Sequence, residues 1–452
     1  MRMRRNNGRV VTAAGIAVLS LALAACGSSG PSDSASGGST GGTDGSTGGS
    51  AAGGKGQLWV ITDASLNPLQ KASVAEFNKS TKSGVTFSVS DFANDPYKQK
   101  LQTAIGSANQ PDIFYNWGGG NLKQYVDAGQ VADITDAVNA AADFKSKLIP
   151  SVLDVGTIDG KIYGVPMQGV QPVMLFANAD VLKAAGVDAM PTTWDDLQTA
   201  ITKLKAAKKT PIALAGSQGW TELMWLEYLL DRNGGADVFQ KIVGGDKSAW
   251  GDPAVTQSLT MIQDLVTEGA FGTNYSSVGY DNQGTLALLA GGKAGFELMG
   301  SWEVSALNGN FPKFAKSDSL TWGKFPTVPN GKGDPAAIVG NPSNFYSVTN
   351  ASKVKEAAEE YLTTQLASDT YVQGLLDVGQ VPAITGLEDK VKTGDFADFN
   401  AFTYDLVKNA PSFTQSWDQA LDAATSQTLL TSLQKVFLKQ MTPQQFVDAM
   451  SK

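Results

Sequence analysis

The sequence predicts an α/β protein built as two lobes, and three observations carry that reading. Strand and helix signals alternate at the start of the body in the order of a βαβαβ unit, and such units build open, largely parallel sheets. A second α/β stretch begins after Tyr163-Gly164-Val165-Pro166. The chain has 452 residues, about 396 of them in the body once a leader and a linker are set aside, more than a single core usually serves.

At the N-terminus, Arg2, Arg4, Arg5 and Arg9 precede an apolar run of about 16 residues from Val10 to Ala25. Leu23-Ala24-Ala25 leads directly into Cys26, the only cysteine. A basic segment, an apolar segment, small residues and then a thiol follow the order of a bacterial lipoprotein signal, so residues 1–26 are expected to be a cleaved leader ending on a lipidated Cys26. The apolar run is shorter than the roughly 20 residues of a spanning helix. Residues 27–56 are almost entirely Gly, Ser, Ala, Thr and Asp. With so little apolar surface they are expected to form a flexible linker, with a root-mean-square reach of roughly 30 Å.

Composition removes several chemistries. Formal net charge is −8, and loss of the leader arginines makes the mature chain more acidic, a poor partner for nucleic acid. A lone cysteine forms no intramolecular disulfide. The chain has no histidine, hence no Ser-His or Cys-His nucleophile arrangement and none of the commonest metal ligand. No residue cluster points to a metal site or a cofactor. Gly118-Gly119-Gly120 lacks the lysine and serine of a phosphate-binding loop and reads as a tight turn.

Leu58-Trp59-Val60-Ile61 reads as a buried strand, followed by a helix with Ser65 as cap, Pro68 in its first turn and Leu66, Leu69, Ala72 and Phe77 near the helical period. Gly84 ends it. Val85, Phe87 and Val89 alternate as a second strand, Asp95-Pro96 starts a helix carrying Leu101 and Ile105, and residues 111–115 form the third strand. Ligands of such sheets lie beyond the carboxyl ends of the strands. Those ends read Thr62-Asp63-Ala64-Ser65, Asp91-Phe92-Ala93-Asn94-Asp95 and Asn116-Trp117-Gly118. In the second stretch, residues 173–176 read as a strand and Thr193-Trp194-Asp195-Asp196 as a capping-box start. Residues 211–214 and 294–299 are further strands, the latter running into Gly300-Ser301-Trp302-Glu303. The last third is mainly helical, with Thr442-Pro443-Gln444-Gln445 opening the final helix.

Several segments together resemble the extracellular solute-binding proteins of sugar ABC importers, a family that includes the maltose-binding protein. They are the leader, Pro111-Asp112-Ile113, Gly160-Lys161-Ile162-Tyr163-Gly164-Val165-Pro166, Phe176-Ala177-Asn178-Ala179-Asp180-Val181-Leu182, Pro191-Thr192-Thr193-Trp194-Asp195-Asp196-Leu197, and Gly292-Lys293-Ala294-Gly295-Phe296 with Gly300-Ser301-Trp302. Ala177-Asn178 stands where that family often has Tyr-Asn. The resemblance implies a periplasmic-binding-protein type II fold, each lobe a mostly parallel sheet flanked by helices, with the ligand in the cleft. It implies crossings between lobes near Pro166–Gln171, Phe325–Lys332 and Gly379–Pro382, giving a first lobe of residues 57–168 and 332–380 and a second of 169–331 and 381–452. The protein is then expected to be a monomer without enzymatic activity and without a cofactor, held at the outer face of the cell membrane by its lipid alone, carrying a small oligosaccharide to the permease of an ABC transporter.

Carbohydrate recognition needs aromatic faces for the C–H faces of sugar rings and planar polar groups for the hydroxyls. By motif position, Trp117, Trp220, Trp302 and Trp417 resemble the stacking aromatics of the family, and Asp63, Asn94, Asp95 and Gln171 its hydroxyl-binding positions. Asn116, Trp225, Glu303 and Asn344 complete the candidate set. Asp63, Asn94 and Asp95 are equally placed to cap helices, and Asn341 and Asn344 to shape a turn. Trp59 and Trp194 are assigned to packing. A surface-anchored glycoside hydrolase is the alternative, requiring two carboxyl groups about 5–9.5 Å apart. A binder of amino acids or peptides would favour an arginine clamp, for which Arg232 is the only arginine beyond the leader.

Overall fold

The computed structural model describes residues 53–452; Cys26 and most of the expected linker lie outside them. β1 (Lys55–Ile61), β2 (Thr86–Phe92) and β3 (Ile113–Asn116) are joined by helices Leu66–Ser80 and Asn94–Ala104 and pair in parallel. Lys55 and Gly56 already pair with Thr86 and Phe87, so the strand starts two residues inside the expected linker. Of the two caps the sequence offers for the first helix, Ser65 and Asp63, it is Asp63 that bonds. Ser65 stands at the N-cap without a side-chain capping bond, and the Asp63 carboxylate two residues earlier accepts the Ser65 and Leu66 N–H groups, each at 2.9 Å.

A short hairpin, β4 (Thr157–Ile158) and β5 (Lys161–Ile162), precedes β6 (Val165–Pro166). The chain then runs through residues 167–170 into β7 (Gln171–Asn178), the buried centre of a second sheet. That sheet also takes β8 (Thr210–Ala213), β9 (Ala294–Gly300), β10 (Leu320–Gly323) and β11 (Ile338–Asn341). β12 (Phe345–Val348) returns to the first sheet, and β13 (Phe413–Gln415) closes the edge of the second. The orders are β2-β1-β3-β12-β6 and β13-β11-β7-β9-β8, with β10 beside β7. The result is the two-lobed α/β fold, with one difference from expectation: both sheets are mixed. β12 runs antiparallel to β3 and β6 because the chain enters them from the other lobe, and β7 runs antiparallel to β9, β10 and β11.

The second crossing also needs correction. Residues 338–341 hydrogen-bond to β7 and β13, so the chain leaves the second sheet only between Asn341 and Phe345, not at 325–332, and residues 332–341 do not pair in the first sheet. The segments 167–170 and 379–382 lie side by side, with the Val170 N–H donating to the Val381 carbonyl at 2.8 Å. Each sheet has its own apolar core, and a smaller cluster around Val170, Phe345, Val372 and Val381 fills the space near these connecting segments. Thr193 and Thr442 each form the reciprocal capping box their sequences predict. Among the described residues no helix is long and apolar enough to cross a membrane, and no group of acidic, cysteine or histidine side chains is arranged to hold a metal ion.

Candidate binding site

The carboxyl ends of β1, β2 and β3 form one wall of a cavity of about 210 Å³ between the lobes. This is where an α/β sheet leaves space, since each strand ends there before its helix begins. The wall carries Thr62, Asp63 and Ala64, then Ala93, Asn94 and Lys98, then Tyr115 and Trp117. Opposite stand Trp220 and Met224 from the helix Gly219–Gly234, the turn Tyr280–Gln283, and Trp302, Ala306 and Asn310 around the helix Glu303–Asn310. Gln168, Gln171, Asn341 and Asn344 line the connecting side, and Ser416, Asp418 and Gln419 one rim.

Three tryptophans line this space, with Tyr115 and Tyr280 beside them. Trp117 is held edge-on by Tyr97 and Tyr115, with the Lys98 ammonium 4.9 Å from its ring centre. Trp220 and Trp302 lie 6.3 Å apart at 51° to one another. The motif Gly300-Ser301-Trp302 has a steric basis: the indole folds back over Gly300, where any Cβ would overlap it. The polar groups are fixed among themselves. The Asn344 Nδ2 donates to Gln168 Oε1 (3.0 Å) and Gln171 Oε1 (2.8 Å), while its own Oδ1 has no protein partner. Burial raises the carboxyls of Asp63, Asp281 and Asp418 above the usual range, opposed at Asp63 by its bonds from Leu66, Ser65 and Ser305, and at Asp418 chiefly by the Lys98 charge.

The two walls touch. The Ser305 hydroxyl donates to Asp63 Oδ2 (3.1 Å) and Asn308 Nδ2 to Ser65 Oγ (3.2 Å). At one rim Gln218 Nε2 donates to Asp95 Oδ2 (3.1 Å) and the Asp95 N–H to Asp281 Oδ2 (3.3 Å); at the other, Gln415 Nε2 donates to the Trp117 carbonyl (2.9 Å). The cleft is therefore in a closed arrangement.

Of the candidate residues, Asp63, Asn94, Trp117, Gln171, Trp220, Trp302 and Asn344 line the cavity. Five do not. Trp417 is a core residue, its ring stacked on Phe239 at 4.3 Å and edge-on to Trp250; the cavity is met by its neighbours Ser416, Asp418 and Gln419. Trp225 is buried against Phe271 and Phe325. Asn116 is buried at the end of β3, donating to Ser347 and accepting the Gly118 N–H. Glu303 is buried beneath the wall, where it accepts the Tyr280 hydroxyl at 2.9 Å. Asp95 sits on the rim and bonds across it, as above. Arg232 is no ligand clamp: it is buried, donating to Asp231 and to the carbonyls of Asp334, Pro335 and Ala337. Sequence reasoning missed Lys98, Gln168, Tyr280 and Asp281, which lie outside the quoted motifs, and misjudged the 416–419 segment by one residue.

The family model for bacterial extracellular solute-binding proteins matches residues 62–372. The diacetylchitobiose binding protein DasA of Streptomyces coelicolor is 28% identical over 396 residues, covering 85% of this chain and 84% of that protein. The multiple sugar-binding protein of Streptococcus mutans is 27% identical over 242 residues, 52% of this chain and 54% of its own length. The chain likewise spans only about half the length of an uncharacterized ABC transporter extracellular-binding protein of Pyrococcus horikoshii, 51% of it at 26% identity. Among solved structures, one from work on xylan utilization by the thermophilic bacterium Caldanaerobius polysaccharolyticus superposes with a TM-score of 0.78 at 26% identity, covering 88% of this chain and 99% of the other. A chitin oligosaccharide binding protein superposes equally well, 0.78 at 25% identity over 88% and 97% of the two chains.

Proposed function

Because the chain belongs to the bacterial extracellular solute-binding protein family, we propose that it is the carbohydrate-binding component of an ABC importer, closing its lobes on a small oligosaccharide and handing the closed form to the permease. The observation that carries this reading is the cavity itself. Trp117 lines it from one wall and Trp220 and Trp302 from the other, together with side-chain amides and carboxylates. Stacking planes with in-plane donors and acceptors suit sugar rings. Relatives named for diacetylchitobiose and chitin oligosaccharides, and the neighbour from xylan work, support a ligand of two or more sugar units. Calorimetry of the body with xylo-, malto- and chito-oligosaccharides, followed by chromatography of the recovered sugar, tests this. We expect one class to bind and to be recovered intact. Cleaved product would make the protein a hydrolase, and absence of binding by any of the three classes would overturn the reading.

The lipid anchor belongs to the same proposal: Cys26, the only thiol, becomes the lipidated first residue of a tethered monomer at the outer face of the membrane. Cys26→Ala is expected to abolish incorporation of labelled fatty acid and release the protein or leave its precursor uncleaved, while sugar binding by the body is unchanged. Wild-type protein found unlipidated in the culture fluid would sink it.

A further inference from the structure

Gln218 stands at the N-cap of the helix Gly219–Gly234, yet its side chain makes no bond to that helix. Ser, Thr, Asp and Asn are the residues that cap, because a short side chain turns back onto the first N–H groups of its own helix. The longer amide reaches outward instead. Its Oε1 accepts two backbone N–H groups of the same lobe, from Tyr280 at 2.5 Å and from Asp281 at 3.2 Å. Its Nε2 donates across the cleft to Asp95 Oδ2 at 3.1 Å. A backbone N–H only donates and an ionised carboxylate only accepts, so the orientation of the amide is fixed at both ends.

The first lobe presents Asp95 to match. Its Oδ1 accepts Asn94 Nδ2 at 3.2 Å, which leaves Oδ2 for Gln218, and its own N–H donates to Asp281 Oδ2 at 3.3 Å. Gln218 to Asp95, Asp95 to Asp281 and Asp281 back to Gln218 thus close a ring of hydrogen bonds over one rim of the cleft. In its own lobe the segment before Gln218 is already docked on the chain leading into the turn, the Gly216 N–H donating to the Tyr275 carbonyl (3.0 Å) and the Ser217 N–H to that of Val278 (3.1 Å). The side chain of Gln218 continues this docking to Tyr280 and Asp281, which line the cavity, while Gln218 and Asp95 do not.

We propose that Gln218 is a positioning residue with two tasks carried by one amide: its oxygen sets the turn that brings Tyr280 and Asp281 to the cavity, and its nitrogen latches that turn to the other lobe when the cleft closes. Gln218 acts on a ligand only through these neighbours and through the population of the closed form. The bond to Asp95 exists only while the lobes are together, so its free energy favours the closed state alone. The inference rests on the sugar-site reading only for what the closure serves.

Substitution separates the two tasks. Gln218→Glu keeps an oxygen for both N–H groups of the turn but sets a second carboxylate against Asp95 Oδ2. Adding Asp95→Asn puts a donor in the place of Oδ2 while the remaining oxygen still accepts Asn94, so the pair is joined again with donor and acceptor exchanged. Sampling of the closed form is read without sugar from disulfide formation between Ser65→Cys and Asn308→Cys, placed where Asn308 Nδ2 and Ser65 Oγ meet across the cleft at 3.2 Å. The parent is the full chain with this pair and Cys26→Ala, so that no other thiol is present. Gln218→Glu is expected to slow cross-linking by oxidised glutathione by about tenfold or more. Gln218→Glu/Asp95→Asn should restore the rate to within about threefold of the parent. Gln218→Glu/Asp127→Asn, equal in net charge but changed at an exposed partner of Lys123 away from the rim, should remain slow. Hydrogen exchange of the peptide covering 278–284 should match wild type in Gln218→Glu and speed up by about tenfold or more in Gln218→Ala, with exchange elsewhere unchanged. Unchanged cross-linking in Gln218→Glu, no rescue by Asp95→Asn, or equal rescue by Asp127→Asn overturns the latch; unchanged exchange in Gln218→Ala overturns the hold on the turn. None of these measurements contains a sugar, so their failure is distinct from failure of the ligand screen.

Discussion

Trp302 and Trp417 show how little a residue type says without its surroundings. Both follow a serine and both stand at the start of a short helix, yet one lines the cavity and the other stacks on Phe239 inside the core. A tryptophan contact of 150–250 Å² is worth several kcal/mol at about 25 cal/mol/Å². Trp302→Ala is therefore expected to weaken oligosaccharide binding at least tenfold by titration calorimetry, with the melting temperature little changed. Trp417→Ala empties a packed core site, a change that costs about 3–5 kcal/mol, and should show first in thermal or denaturant unfolding. Equal affinity of Trp302→Ala and wild type would remove Trp302 from the site. Asp63 bears out the capping reading: one oxygen caps the first helix, while the other accepts Ser305 from the opposite lobe at the cavity wall.

At the scale of elements, what was legible is what is encoded locally. The three parallel strands at the start, the helices between them and the Thr193 and Thr442 capping boxes follow from period, turn residues and cap chemistry within windows of a few residues. Asn94–Ala104 starts within one residue of the predicted Asp95, but its N-cap, Ala93, makes no side-chain bond, a detail of backbone entry that the sequence did not carry. β11 and β12 were not legible as strands. Each is four residues long, and their partners lie far off in the sequence, β7 and β13 for β11, β3 and β6 for β12. The resemblance implies a crossing near Phe325–Lys332, where Pro326, Pro329 and nearby glycines break helix and strand. They serve another purpose: Gly331 and Gly333 pack against the backbone of Arg232 and Asp231 where a Cβ would not fit, and Arg232 holds the following carbonyls, so the chain stays on the second lobe until after β11.

At the scale of the whole molecule, the cross-cleft contacts define a closed form whose population a ligand touching both walls must raise. Moving from about 1:99 to 99:1 takes roughly 5.5 kcal/mol, within the roughly 8.2 kcal/mol of a micromolar binder. Solution scattering of the body should therefore give a smaller radius of gyration with a bound oligosaccharide than without; tight binding with an unchanged profile would refute the closing motion. The sequence by itself determined the class of fold, the order of the first elements, the absence of histidine and disulfide chemistry, and the segments that place the chain in its family, because each is written in composition or in short-range pattern. Tertiary structure alone decided which tryptophans line the cavity, that Asp95 and Gln218 meet across the rim, and that Glu303 supports Tyr280 from behind. Those depend on pairs such as Asp63 with Ser305 and Glu227 with Ser416, far apart along the chain, and the direction of a side chain at a strand end or helix start is set by what packs on it from the other side.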